Sequence, residues 1–394
     1  MTRRITLLGS TGSIGTQALD VIARQPERFR VTALAAGGNV DLLCRQARAF
    51  GVRRVALANR VAAEKARRQL PDSVEVLDGM EGVMAMASEP VDVVLNGMAS
   101  SRGLQPTLAA LRAGSTVALA NKESLIVGGA LVVAAARPGQ LVPVDSEHSA
   151  LAQCLRAGHA REVARLIVTA SGGPFRGYST ADLATVTVEQ ALAHPTWSMG
   201  AVITINSATM ANKGQEVIET HLLFGIPYDR IEVVVHPQSI VHGMVEFCDG
   251  AVVAKLSPPD MRLPIQLALT WPERLPHAPA VMDWTRVQLL QFEPLDRMTF
   301  PMVDMAVAAG RQAGTAPAVF NAANEEAVAA FLAERVRFAD IPRVVEAVLE
   351  QHHNTPVVDV DDVLQAEAWA RAAAGRVLGA RTDTEAEGNQ GMRQ

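Results

Sequence analysis

The chain has 394 residues, 49% of them hydrophobic and 20% charged. This composition excludes a largely disordered or fibrous protein and allows about two to four domains. A formal net charge of −5 and an aromatic content of 4% argue against an electrostatic nucleic-acid binder.

Met1-Thr2-Arg3-Arg4 leads into a short apolar run at 5–8 that stops at Gly9, which is not the pattern of a signal peptide. No uncharged run approaches the ~18 residues of a membrane span. Cys44, Cys154 and Cys248 form no C-x-x-C pair and no zinc spacing. The expectation is a cytoplasmic protein with no membrane partner.

From there, short apolar runs alternate with amphipathic stretches. Runs 5–8, 31–35, 55–58, 91–95, 116–120 and 141–144 read as strands. Stretches 17–24, 40–50, 104–112 and 124–136 read as helices. Such alternation implies βαβ units and a parallel sheet covered on both faces. In the middle, 166–169, 202–205 and 231–235 read as strands. Runs 240–247 and 251–256 flank an Asp249-Gly250 hairpin turn. Segment 277–300 has several prolines and little periodicity. At the end, 318–336, 342–352 and 360–378 are Ala-rich and periodic, as in a small bundle. From Arg381 to Gln394 the chain is polar and reads as a disordered tail.

Four patterns point to chemistry. Gly9-Ser10-Thr11-Gly12-Ser13-Ile14-Gly15 follows a strand and opens a helix, the context of a dinucleotide phosphate loop. The next strand ends in Ala36-Gly37-Gly38-Asn39. It has no carboxylate to hold a ribose diol, which leans towards NADP over NAD. Asp145 and Glu147 follow the 141–144 strand and, in extended chain, share one face. Glu216 and Glu219 share a helix face at i and i+3. Hard divalent cations favour such carboxylates, although taken alone the pattern is more often that of solvated acids. Ser171-Gly172-Gly173 after a strand, and Ser207, Asn212 and Lys213 around a helix start, are phosphate-binding types or ordinary helix caps. Asn121-Lys122-Glu123 follows a strand at the end of the sheet where ligands bind. His194 lies in a loop, 194–200, whose large apolar residues suit a lid.

The motifs GSTGSIG at 9–15, ANKESL at 120–125, PVDSEHSA at 143–150, SGGPF at 171–175, HPTWSMG at 194–200, NKG-x-E at 212–216, HPQSIVH at 236–242 and NAANE at 321–325 together resemble the 1-deoxy-D-xylulose 5-phosphate reductoisomerase family. The resemblance is greatest to its actinobacterial branch and runs from about Arg4 to about Leu378. It implies an α/β chain with a Rossmann-like NADPH-binding domain at 1–150 and an α+β catalytic domain at 151–280. A connecting segment at 281–300 and a C-terminal α-helical bundle at 301–380 would follow, in a homodimer. It also implies a phosphorylated sugar substrate, NADPH, and Mg²⁺ or Mn²⁺.

The family's roles fall on matching positions. Thr11, Gly12, Ser13, Ile14, Gly37, Gly38, Asn39, Asn121, Glu123 and Gly200 would meet the cofactor. Asp145, Glu147 and Glu216 would hold the metal. Lys122, Ser146 and Glu147 would meet the reacting part of the substrate, and Ser171, His194, Ser207, Asn212 and Lys213 its phosphate. Trp197 and Met199 would ride on a closing flap, with Glu219 behind the metal ligands.

Gln215, Ala211, Gly38, Gly243 and the stretch Asn96 to Gly103 depart from the family pattern. Of these, Gln215 and the stretch Ser100 to Arg102 leave room for a divergent paralogue with altered kinetics or inhibitor response, or for a reductoisomerase-like NADPH oxidoreductase acting on a related phosphorylated substrate. A semialdehyde dehydrogenase would need an activated cysteine, for which Cys154 is the nearest candidate. A non-catalytic NADPH sensor would not need the three carboxylates together.

Overall fold

Strands buried on both faces need apolar residues at every position, and the short runs of the N-terminal third meet that demand. In this computed structural model, residues 2–276, 278–286 and 289–391 are described. The first sheet comprises β1 (Arg3–Leu8), β2 (Phe29–Ala36), β3 (Arg54–Leu57), β4 (Glu75–Asp78), β5 (Val93–Asn96), β6 (Thr116–Leu119) and β7 (Leu141–Pro143). All pairings are parallel, in the order β4-β3-β2-β1-β5-β6-β7. The chain winds outward from β1 to β4, then resumes at β5 on the other side of β1. The carboxyl ends of β1 and β5 therefore flank the switch point, where an open α/β sheet binds its ligand.

Elements with clear periodicity match their sequence reading within a few residues. The helices Arg60–Gln69 and Gly79–Ala87 and the strand β4 went unread. The first helix is mostly polar, the second opens with glycine, and β4 is a half-exposed edge. The buried face of the first helix is made of alanines alone, Ala62, Ala63 and Ala66, and gives little apolar signal. The stretch read as one helix over 124–136 runs from Lys122 to Ala135 and breaks at Gly129, where φ is 37°.

The first compact unit consists of Met1–Leu125, Val132–Ala157 and Lys255–Val287. This corrects the assignment of 255–280 to the middle domain. The helix Arg262–Thr270 buries Ile265, Ala268 and Leu269 in the same core as Ile5 and Leu7. Arg262 Nη1 also meets Asp20 Oδ2 at 3.1 Å. That helix was not read from the sequence, and its packing partner lies more than two hundred positions earlier.

The second unit consists of Ile126–Leu131, Gly158–Ala254 and Gln288–Gln394. Its sheet is mixed, ordered β11-β10-β8-β9-β12, with β8 (Val163–Ala170), β9 (Ile231–Val235), β10 (Val241–Phe247), β11 (Val252–Leu256) and β12 (Glu293–Pro294). The segment 281–300 is thus more than a connection, since it supplies the edge strand β12. Residues 202–205, read as a strand, lie in the helix Ala201–Ala208. Their β-branched run mimics a strand, but Val202 is 49% exposed and Ile205 fully buried, a one-sided pattern that tertiary packing resolves as helix.

The helices Met302–Gln312, Ala316–Leu332, Asp340–Gln351 and Val360–Gly391 belong to this same unit. They pack on one another as the expected helical bundle, and Met302–Gln312 also packs on the helix Ala211–Phe224. The last helix continues through the stretch read as a tail, as far as Gly391. Extending an existing helix needs no new nucleus. Residues 392–394 of the expected tail lie outside the described residues.

Truncating Leu269 tests the reassignment. Leu269→Ala is expected to cost about 2–5 kcal/mol, read by urea denaturation. Unchanged stability would contradict the packing.

Candidate active site

The glycine turn sits at the switch point. Gly9 has φ +83°, and a Cβ there would run into the backbone of Gly97, 2.6 Å from its carbonyl carbon. Only glycine lets the β1 turn and the loop after β5 approach this closely. Gly12 is the N-cap of the helix Ser13–Ala23 and is exposed, as is Ser13. It provides no side-chain cap, and the first turn holds no acidic residue. A helix start of this kind suits a pyrophosphate. Thr11 and Ile14 lie partly exposed beside it.

At the tip of β2, Gly37, Gly38 and Asn39 are all exposed. Asn39 caps the next helix, accepting from Leu42 N–H at 3.2 Å. Asn59 N–H donates to Gly37 O at 3.0 Å, which brings the start of the helix Arg60–Gln69 to this tip. Arg60 there, with its side chain 70% exposed, is a cation that sequence reading missed, because the helix carrying it went unread.

Asn121, expected to meet the cofactor, is fully enclosed. Its amide donates to Ser100 O at 2.8 Å and to Glu123 Oε2 at 2.7 Å, and its oxygen accepts from Ser124. It braces the loop after β5, where Ser100 holds a φ of 63°. Asn96 braces the same loop, donating to Gly103 O at 3.1 Å and Thr107 Oγ1 at 2.8 Å. The stretch 96–103, expected to depart from the family pattern, is held by the side chains of Asn96 and Asn121.

The first acidic corner forms at the start of the helix Ser146–Cys154. Asp145 is its N-cap, accepting from Ser146 N–H at 3.1 Å, and Glu147 lies in its first turn. The extended-chain argument for their shared side is thus corrected: a helix start, not a strand, brings them together. Negative charge is favourable there. Lys122 Nζ lies 2.5 Å from Asp145 Oδ2, with side chains 6% and 17% exposed. Ser146 Oγ donates to Glu147 Oε2 at 2.6 Å. Lys255, overlooked in the sequence, lies near this corner; burial pushes its ammonium down to about 8, against the pull of Glu147. Its Nζ donates to Ser257 Oγ at 2.6 Å.

The second unit holds the other acidic group. Glu216 and Glu219 lie on the helix Ala211–Phe224, both buried. Glu216 accepts from Asn212 Nδ2 at 2.5 Å and pairs with Lys213. Lys213 also donates to Thr169 O at 2.6 Å. The structure thus ties Asn212 and Lys213, expected at the phosphate, to the carboxylate on their own helix.

Ser171, His194 and Ser207 gather nearby. Gly173, with φ +66°, has room for no side chain: a Cβ would lie 2.9 Å from Ser207 O. That contact seats the Ser171 loop on the end of the helix Ala201–Ala208. His194 Nδ1 accepts from the N–H groups of Thr196 and Trp197 at 3.1 and 3.0 Å. In the neutral ring its Nε2 then carries the proton and donates to Ser171 Oγ, 3.0 Å away. Burial lowers the His194 pKa. On the same loop Trp197 packs edge-on to His242, with centroids 6.1 Å apart. Met199 is half-buried, and Gly200, exposed, caps the helix Ala201–Ala208.

A glycine turn at the switch point of a doubly wound sheet defines the class: a dinucleotide-binding protein of the Rossmann type. Family models described as 1-deoxy-D-xylulose 5-phosphate reductoisomerase match residues 5–129, and its C-terminal domains match 141–224 and 256–373. The chain is 58% identical over 381 residues to the 1-deoxy-D-xylulose 5-phosphate reductoisomerase of Arthrobacter sp. (strain FB24), covering 94% of this chain and 96% of that one. It is also 58% identical to that of Mycobacterium marinum, covering 95% and 93%. Among solved structures, the Zymomonas mobilis reductoisomerase in complex with NADPH superposes with a TM-score of 0.90 at 42% identity, covering 96% of this chain and 99% of that chain. A DOX-P reductoisomerase in complex with NADPH, fosmidomycin and magnesium gives 0.89 at 35%, covering 96% and 98%. The chain belongs to the 1-deoxy-D-xylulose 5-phosphate reductoisomerase family.

The hydrogen bonds of His194 carry a pH dependence. Its pKa in the fold lies below the ordinary 6.5, so the fold favours the neutral ring. The anchoring of the 194–200 loop is complete above pH 6.5 and is lost as pH falls through the lowered value. The Trp197 fluorescence, taken as the difference from Trp197→Phe, is expected to change with a midpoint below 6.5. A midpoint above it would contradict the tautomer.

Proposed function

We propose that the protein converts 1-deoxy-D-xylulose 5-phosphate to 2-C-methyl-D-erythritol 4-phosphate. The carbon skeleton rearranges to an aldehyde, and NADPH with one proton reduces it. The observation that carries this reading is the pairing of carboxylates with buried lysines, Asp145 with Lys122 and Glu216 with Lys213, in a chain of this family. Hard oxygen donors of this kind fit Mg²⁺ or Mn²⁺. Asp145, Glu147 and Glu216 would hold the cation, and the glycine turn, with Gly37, Gly38 and Asn39, would hold NADPH. When bound, NADPH supplies the hydride and the cation supplies Lewis acidity.

The remaining work belongs to the chain's own groups. Lys122 holds Asp145 in place and, with Ser146 and Glu147, meets the reacting end of the substrate. Ser171, His194 and Ser207 hold the phosphate with two hydroxyls and a ring N–H, and Asn212 and Lys213 add an amide and a positive charge. Binding energy at the phosphate, remote from the reacting carbons, orients them. The 194–200 loop, with Trp197 and Met199, excludes water from the aldehyde.

We also read the protein as a cytoplasmic homodimer. Leu289 and Met298, 68% and 91% exposed, offer apolar surface to a second copy. Cys44, Cys154 and Cys248 are free thiols, as a reducing compartment keeps them. Cys154 is buried, with its thiol pushed up to about 11, which does not favour the activated cysteine of a semialdehyde dehydrogenase.

The test is NADPH oxidation, followed at 1-deoxy-D-xylulose 5-phosphate saturation (about ten times KM) with and without chelator. Activity is expected only with Mg²⁺ or Mn²⁺. Glu216→Gln and Asp145→Asn are each expected to lower turnover by more than about a hundredfold, while NADPH binding survives. Chelator-resistant turnover would overturn the reading.

A further inference from the structure

The helix Ala316–Leu332 carries two asparagines one turn apart, Asn321 and Asn324, both fully buried. Each reaches a different functional helix, at the position just before a residue assigned to the site. Asn324 Nδ2 donates to Asn206 Oδ1 at 2.9 Å, and Asn206 precedes Ser207. Gln215 Nε2 donates to Asn321 Oδ1 at 2.9 Å, and Gln215 precedes Glu216. Both partners are buried, Asn206 at 5% and Gln215 at 2% exposure.

The direction of the second bond is set by chemistry. Asn321 Nδ2 donates to Glu325 Oε1 at 3.1 Å. Glu325 Oε2 accepts from Arg371 Nη2 at 2.6 Å. An ionised carboxylate only accepts, so Asn321 must turn its amide nitrogen towards Glu325 and its oxygen towards Gln215. Gln215 must then present its own amide nitrogen. Arg371, Glu325, Asn321 and Gln215 form one polarised chain from the helix Val360–Gly391 to the helix that carries Glu216.

Successive helical residues lie about 100° apart around the axis. A bond that fixes the direction of Gln215 therefore fixes where Glu216 points, and the same holds for Asn206 and Ser207. We propose that Asn321 and Asn324 are positioning residues, Asn321 aiming Glu216 at the cation through Gln215 and Asn324 aiming Ser207 at the substrate phosphate through Asn206. The proposal rests on the functional reading of Glu216 and Ser207.

The two arms separate experimentally in the full-length protein. Mn²⁺ binding is read without substrate or turnover, from loss of the free-ion electron paramagnetic resonance signal. KM and kcat are read with 1-deoxy-D-xylulose 5-phosphate at saturating Mn²⁺. Asn321→Leu is expected to weaken Mn²⁺ binding roughly tenfold, as a buried amide loses its partner, with KM little changed. Asn324→Leu is expected to raise KM roughly tenfold, with Mn²⁺ binding unchanged. A general loss of stability would not split the two readouts in this way. If a leucine variant does not fold, the serine variant at the same position is read in its place. Wild-type values in both variants, or both parameters moving together in each, would overturn the proposal. Wild-type protein that binds Mn²⁺ but does not turn over the substrate would count against the functional reading, and the Mn²⁺ arm would still decide the role of Asn321.

Discussion

Buried charge is the constraint around which the functional parts of this protein are built. A carboxylate taken out of water is tolerated only with a cation and hydrogen-bond donors to satisfy it. Asp145 meets that condition with Lys122 and the backbone of its own helix start. Glu216 meets it with Lys213 and Asn212. In both cases the lysine is itself enclosed, so each pair holds the other in one geometry.

The scaffold serves this constraint through helix starts and close backbone approaches. Asp145 and Glu147 sit where the dipole of the helix Ser146–Cys154 favours negative charge. The Gly9 turn places another helix start at the switch point of the first sheet, ready for phosphate. In the second unit, Gly173 lets the Ser171 loop lie on the Ser207 helix. The polar cluster of Ser171, His194 and Ser207 depends on that missing side chain as much as on the groups themselves.

Buried polar side chains away from the charged pairs also find physical partners. Gln215, buried at 2% exposure, has an amide partner in Asn321. The loop 96–103 is held by Asn96 and Asn121. Ala211 is fully buried at the start of its helix. Where a polar side chain is buried, a hydrogen bond to another buried group offsets the cost of desolvation.

The amino-acid sequence alone determined the βαβ character of the first third, the glycine turn and the types of the site residues. These follow from local period, turn chemistry and short motifs, which a linear chain carries in full. Tertiary structure alone decided that Ile265, Ala268 and Leu269 belong to the N-terminal core, that residues 202–205 are helical and that Asn121 is a brace. It also showed that Asp145 and Glu147 meet at a helix start, and that Arg60 and Lys255 stand near the sites. Each of these depends on what lies across the chain from a residue. Burial and partner choice are settled by packing between distant segments, and neither spacing nor propensity records that.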